Sequence, residues 1–144
     1  MKFNYLLLFF FLTFTACDPG GRHYILINET GHNITTYQPR NLPLTNDVLY
    51  QAFKPRGSDS TQIRFDFFVK AFSTRENFSM GSFGSQFTTS DGKLHLFILD
   101  MDTLKSLAKN HALDSMSIKQ AILKHAVYSQ EELESTERKI KYSN

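Results

Sequence analysis

In Lys93-Leu94-His95-Leu96-Phe97-Ile98-Leu99, apolar residues fall on both faces of an extended strand. Such a strand must be covered on both sides, so we expect it in the centre of a sheet. The turn-forming residues Ser90-Asp91-Gly92 precede it directly. Since Asp-Gly is a strong hairpin signal, residues 86–89 and 93–99 are predicted to pair as a hairpin.

Further strand signals lie earlier in the chain. Residues 22–28 alternate, and residues 34–37 are rich in β-branched side chains, so both are predicted strands. The turn-forming residues 29–33 between them predict a second hairpin. Residues 48–53 are predicted to form a short strand that ends before Pro55-Arg56-Gly57.

The middle of the chain combines one long alternation with one loop. Residues 61–72 alternate with a period of two, which predicts a half-buried antiparallel strand. Residues 73–84 are rich in Ser and Gly and are predicted to be a loop in which Phe78, Met80 and Phe83 are interleaved. Large apolar groups on such a loop either pack inward, which is the commoner outcome, or meet a partner. These three residues are therefore a candidate contact loop.

The periodicity becomes helical after residue 100. The apolar spacing within residues 104–108 predicts a helix with Asp102 as its N-cap, and a second helical stretch is expected over residues 118–122. Ser129 and Glu132 form a capping-box pattern, and residues 138–142 alternate like a last strand. The sequence thus predicts a mainly β fold with a small α component. We expect an antiparallel β-sandwich-like domain with one to three short C-terminal helices.

The N-terminal segment is typical of secretion. Lys2 is followed by an apolar run over residues 5–14, shorter than the ~20 residues that span a membrane, and then by small residues before Cys17. A cysteine at that point resembles a bacterial lipobox, in which the thiol is acylated and becomes the new N-terminus. Phe14 stands where a lipobox usually has an aliphatic residue. The alternative is an ordinary cleaved signal that lies next to a cysteine.

The lipobox interpretation divides the chain into three parts. These are a lipoprotein signal peptide (1–16), a lipidated tether (17–22) and a single β-rich domain (23–144). Two or more acyl chains, palmitate among them, would anchor Cys17 stably. We therefore expect a protein of the bacterial cell envelope, held on a membrane by its lipid and facing the periplasm. The choice between inner and outer membrane stays open.

Composition limits the partners that we expect. The 144 residues include 16 basic and 14 acidic side chains without a long block of either charge, so nothing predicts binding to nucleic acid. The five histidines lack the spacing of metal ligands, and we expect neither a metal nor a cofactor. His95 is predicted to be a hydrogen-bonded core histidine. The expected partners are the membrane, through the N-terminal lipid, and an unknown envelope protein or glycan.

One motif suggests an enzyme. Residues 96–104 resemble the first motif of haloacid-dehalogenase phosphatases, a buried strand that ends in Asp-x-Asp with Mg²⁺ beside it. In that family one carboxylate attacks phosphorus and the other acts as acid and base, which would be the roles of Asp100 and Asp102. However, Thr103 comes one residue too early for the motif, and the preceding chain reads as hairpins. A small Mg-dependent envelope hydrolase is therefore the alternative function. The favoured function is a non-catalytic binding or accessory module with no catalytic residues.

The C-terminal part also carries a wider pattern. Its segments are Leu96-Phe97-Ile98-Leu99-Asp100 with Asp102-Thr103-Leu104, Ile122-Leu123-Lys124-His125, Ser129-Gln130-Glu131-Glu132-Leu133, and Lys139-Ile140-Lys141-Tyr142. Together with the lipobox, this pattern resembles a group of small uncharacterised lipoproteins of gut-type Gram-negative bacteria. The resemblance implies a lipid anchor and a β-rich fold. It implies no activity and no site residues.

Overall fold

The computed structural model describes residues 22–55, 63, 65, 67–78 and 83–143. In this part of the chain, seven strands and three short α-helices are formed. The strands are β1 (Arg22–Asn28), β2 (Ile34–Tyr37), β3 (Phe68–Val69), β4 (Ser73–Phe78), β5 (Leu94–Asp100), β6 (Ile122–Tyr128) and β7 (Lys139–Tyr142). The α-helices are α1 (Asn46–Phe53), α2 (Met101–Lys109) and α3 (Gln130–Ser135), and the 3₁₀ helices are Phe83–Gln86 and Ser117–Ala121. The predicted class, mainly β with a small α component, is confirmed.

The strands form two sheets. One sheet has three strands in the order β4-β1-β7, and the other has four in the order β3-β2-β5-β6. All pairs are antiparallel except β1 with β7, which run parallel. A parallel pair needs a long crossover connection, and here almost the whole domain lies between the two strands.

The apolar side chains separate into two cores, one on each face of the four-stranded sheet. Leu94, Leu96 and Ile98 of β5 belong to the first core, which they share with residues of β1 and β7 in the three-stranded sheet. Phe97 and Leu99 belong to the second core, together with residues of α1 and α2. The order of layers is therefore sheet, sheet, helices. This explains why every residue of β5 is buried, as the two apolar faces of its sequence predict.

Neither predicted hairpin is formed. β1 pairs with β4 and β7, whereas β2 pairs with β3 and β5, so the turn at residues 29–33 passes the chain from one sheet to the other. The turn before β5 is present, with Gly92 at φ 67°, but residues 86–89 do not pair with β5. Both edges of β5 are occupied by β2 and β6 instead. Tertiary pairing thus prevails over two local turn signals.

The segment 48–53, predicted as a strand, is helical. Helix α1 begins after Thr45, whose hydroxyl accepts a hydrogen bond from the backbone N–H of Val48. Leu49 and Phe53, four residues apart, both point into the second core. This i, i+4 spacing places them on one face of a helix, and burying that face outweighs the weak β propensity of the segment.

The middle of the chain differs from its predicted pattern. The long strand expected over residues 61–72 is reduced to the two residues of β3 within the described positions; residues 61, 62, 64 and 66 lie outside them. The loop expected over residues 73–84 begins instead with strand β4, which pairs with β1. Arg75 and Glu76 are compatible with an edge strand because charged side chains there remain accessible to water.

The C-terminal elements follow the local signals more closely. Helix α2 and the last strand lie where they were predicted. Both hydrogen bonds of the Ser129–Glu132 capping box are formed, each side chain accepting from the backbone N–H of the other residue. The second helical stretch is a 3₁₀ helix that ends at Ala121. Strand β6, which follows directly, was not predicted because residues 118–122 read as the start of a helix.

Candidate functional site

Of the residues singled out for function, three cannot be placed. Cys17 and Met80 lie outside the described residues, as does the side chain of Phe78. Phe83 opens a 3₁₀ helix, and its half-buried ring packs against the first core. The ring meets Phe87 edge-on with centroids 5.3 Å apart, and the guanidinium carbon of Arg138 lies 3.9 Å from its centroid. The Phe83 ring is thus held in the domain by packing and a cation–π contact.

Asp100, and not Asp102, is the N-cap of helix α2. Its Oδ1 accepts hydrogen bonds from the backbone N–H groups of Asp102 and Thr103 at 2.8 and 2.9 Å. The prediction of Asp102 as the cap was therefore wrong by two residues. The physical reason is that β5 runs directly into the helix, so the last strand residue is the one that meets the unpaired N–H groups of the first turn. Asp102 lies in that turn, where its negative charge suits the helix dipole.

The remaining carboxylate oxygens of this pair have separate neighbours. Asp100 Oδ2 lies 3.4 Å from Nδ1 of His32. Asp102 Oδ2 accepts a long hydrogen bond of 3.4 Å from the side-chain amide of Asn33. Burial, with the charge of Asp100 adding to it, raises the pKa of the Tyr142 hydroxyl. The arrangement stabilises the junction of β5, α2 and the turn after β1.

That turn is organised by a buried amide. Asn28 Nδ2 donates to the backbone oxygens of His32 and Lys70, and Asn28 Oδ1 accepts from the backbone and hydroxyl of Thr30. The backbone N–H of Phe72 donates a hydrogen bond to the backbone carbonyl oxygen of Thr30. Phe72 has φ 49°, a rare value for an aromatic residue, and 76% of its surface is exposed. Phe72 is therefore an exposed apolar residue on a turn that hydrogen bonds connect to Asn28 and Thr30.

The most site-like arrangement of titratable groups is a chain of three side chains beside the second core. Asp91 Oδ2 lies 2.8 Å from Nε2 of His95, and His95 Nδ1 lies 3.0 Å from Nε2 of His125. The His125 ring stacks on Phe97, with centroids 4.1 Å apart and planes 8° apart. His95 is buried, and Asp91 and His125 are exposed. The prediction of a hydrogen-bonded core histidine at His95 is confirmed.

Local structure places each member of this chain. Asp91 sits in the turn before β5, where its Oδ1 accepts from the hydroxyl of Thr89 at 2.8 Å and from the backbone N–H of Lys93 at 3.2 Å. His95 is on β5, four residues later. His125 is on β6, directly opposite Phe97 in the antiparallel register. The β5–β6 pairing therefore assembles the chain, and a sequence reading that lacks β6 cannot find it.

The hydrogen bonds of Asp91 determine its protonation state. The bond from His95, reinforced by Thr89, lowers the pKa of Asp91 to about 2, so the carboxylate is ionised at neutral pH and can only accept. His95 Nε2 must then donate to Asp91. Burial lowers the pKa of His125, and the neighbouring His95 lowers it further.

The Asp91, His95 and His125 side chains do not form a metal centre. Both ring nitrogens of His95 are already directed at protein atoms. Within the described ranges, no three or more His, Cys, Asp or Glu side chains are arranged to hold a metal ion. The hydrogen bonds between Asp91, His95 and His125 stabilise the contact between the turn at Asp91 and β6.

Comparison with known proteins gave no match of this chain to a family model, a curated protein or a solved structure. In the part of the chain that the structure describes, none of the helices has the length and apolar character needed to cross a membrane.

Proposed function

We propose that this chain is a lipid-anchored protein of the bacterial cell envelope, whose folded part is a non-catalytic binding or accessory module. The observation that carries the proposal is the lone cysteine, Cys17, at the end of a basic, apolar and small-residue sequence typical of a lipoprotein signal. The acylated cysteine would hold the protein on a membrane, facing the periplasm.

The position of β1 supports this arrangement. β1 begins at Arg22, five residues after Cys17, and is the central strand of the three-stranded sheet. Five extended residues span at most about 17 Å, so an acylated Cys17 would keep the start of the sheet close to the bilayer surface. β1 ends at Asn28, and the turn that carries Phe72 lies at this far end. A partner away from the membrane would meet the far end first.

The contacts of the titratable side chains support a non-catalytic role. Asp100 caps α2, while Asp102 accepts a single long hydrogen bond from Asn33. His95 uses both ring nitrogens within the Asp91–His95–His125 chain. These groups stabilise the domain, and among the described residues no contact favours the alternative of a Mg-dependent hydrolase over the binding module.

The binding function is tested by affinity capture from the native envelope. Full-length protein would be cross-linked in intact cells, solubilised and purified, and the captured proteins and glycan fragments identified. A Phe72→Ser variant tests the far end of the sheet, and Phe68→Ser, a partly exposed phenylalanine on β3, is the matched control. We expect Phe72→Ser to lose the partner and Phe68→Ser to retain it. Failure of the wild-type protein to capture any envelope component would contradict a binding role.

The hydrolase alternative has its own test. Purified protein would be assayed on a generic phosphate ester with Mg²⁺, alongside an Asp100→Asn variant that retains a capping side chain. We expect no turnover above background from either protein. Turnover by the wild type that is abolished in Asp100→Asn would contradict the binding module and support the hydrolase.

A further inference from the structure

The contact between His95 and His125 places two ring nitrogens face to face. The ring centroids are 5.2 Å apart, and His95 Nδ1 lies 3.0 Å from His125 Nε2. Both nitrogens are therefore in the space between the rings, close to the line that joins the two centroids. Each ring nitrogen carries either a hydrogen or a lone pair. Since a hydrogen bond needs one donor and one acceptor, this space holds a single proton, whichever of the two rings supplies it.

The other nitrogen of His95 has a negatively charged partner. His95 Nε2 lies 2.8 Å from Oδ2 of Asp91, and this hydrogen bond is the main reason why the pKa of Asp91 is lowered to about 2. Asp91 is thus ionised over the whole range in which histidine takes up protons. Its charge can balance one additional proton on the His95–His125 pair, but not two.

No second negative charge contacts the pair within the described residues. There, Asp91 is the only acidic side chain with a hydrogen bond or an ion pair to either ring. The His125 ring stacks on Phe97, and Tyr37 of β2, across from Phe97 in the sheet, has its own ring against Phe53. Lys93 and Lys124, the cations nearest to the pair in sequence, are exposed and carry the same charge as a protonated histidine. Simultaneous protonation of both rings is therefore not compensated.

We propose that the His95–His125 pair is an acid-sensitive contact, which joins the turn at Asp91 to β6 and opens when both rings are protonated. One additional proton still leaves a donor and an acceptor between the rings, and Asp91 balances its charge. A second proton directs two N–H groups and two positive charges at each other across 3.0 Å, so the rings must separate. This inference does not rest on the lipid anchor or on the proposed binding role.

The contact also makes the stability of the domain depend on pH. Burial lowers the pKa of His125 from its ordinary value of 6.5, and the neighbouring His95 lowers it further. Because the folded protein disfavours the charged ring, the unfolded chain binds more protons below pH 6.5. The contribution of His125 to stability is therefore complete above that pH and is lost as the pH falls below it.

The first test compares two substitutions of the same kind. His125→Gln keeps an amide that can donate to or accept from His95 but takes up no proton, and His111→Gln alters an exposed histidine after helix α2. Urea unfolding of the full-length protein in detergent would be followed at about pH 7.5 and about pH 5.5, on either side of the ordinary histidine pKa. Between these values, the folding equilibrium constant of wild type and His111→Gln should fall about tenfold more than that of His125→Gln. Equal pH dependence of wild type and His125→Gln would overturn the proposal.

The second test observes the protons directly and does not depend on a substitution. The ring nitrogens of His95 and His125 would be titrated by NMR in the full-length protein from about pH 8 to about pH 4, a range that brackets histidine protonation. We expect the pair to bind two protons in steps more than about one pH unit apart. The second step should shift the backbone amides of residues 89–93 and 125–128. A single joint step, a second step that leaves these amides unmoved, or no second step in this range would overturn the proposal.

Discussion

Replacing Asp100 with alanine should destabilise the protein by about 2 kcal/mol. Loss of an N-cap costs roughly 0.5–2 kcal/mol, and Asp100 falls at the upper end because it is buried and satisfies two backbone N–H groups. For a domain of this size, that loss corresponds to a decrease of about 8 °C in the melting temperature. Urea unfolding of the full-length protein, followed by circular dichroism at pH 7, measures the change.

Two further variants separate the cap from its neighbours. Asp100→Asn should cost less than about 1 kcal/mol, because asparagine caps helices nearly as well as aspartate. Asp102→Ala should cost about 0.5 kcal/mol, since it loses a favourable helix-dipole interaction and one 3.4 Å contact with Asn33. If Asp102→Ala destabilises the protein as much as Asp100→Ala does, the assignment of Asp100 as the cap is refuted.

The other predictions concern the Asp91–His95 pair and the first core. The pKa of Asp91, about 2 in the folded protein, should rise towards its ordinary value of 3.8 in His95→Phe, as measured by NMR titration; an unchanged pKa would exclude His95 as the main cause. Because the folded-state pKa is depressed, the stabilisation from Asp91 is complete above pH 3.8 and lost as the pH falls through about 2. Leu96→Ala should cost about 3 kcal/mol in urea unfolding because Leu96 is fully buried, whereas Leu123→Ala should cost below about 1 kcal/mol; equal losses would contradict the core assignment.

The features that the sequence predicted correctly depend on local signals. The central place of β5 follows from its own residues, which are apolar on both faces. The capping box of α3 depends on Ser129 and Glu132, which are close in sequence and make both predicted hydrogen bonds. In each case the physical cause lies within a few residues, so it can be read from the chain.

The features that the sequence did not predict depend on contacts between distant segments. β1 pairs with β7 at the other end of the domain, and no turn residue encodes that parallel pair. Helix α1 carried a readable signal, the Thr45 cap with Leu49 and Phe53 at i, i+4 spacing, but its β-branched and aromatic residues favoured a strand. Local propensity predicts secondary structure poorly where burial against distant segments determines which side chains face the core.

The candidate site shows the same division. His95 was predicted as a hydrogen-bonded core histidine from its place on a buried strand. Its partner His125 could not be assigned, because their contact requires both the existence of β6 and its register against β5. Asp91 was predicted only as a turn residue. Its hydrogen bond to His95, which links it to His125, depends on the same strand pairing.

Lipid attachment at Cys17 can be measured directly. Cells expressing the full-length protein would be labelled with a palmitate analogue, and the wild type compared with Cys17→Ala and with Ser143→Ala, a control that also removes one side-chain heavy atom. If Cys17 carries the lipid, wild type and Ser143→Ala are labelled and recovered with the membrane fraction, while Cys17→Ala is not labelled. Equal labelling of wild type and Cys17→Ala, or none in either, would contradict the lipid anchor.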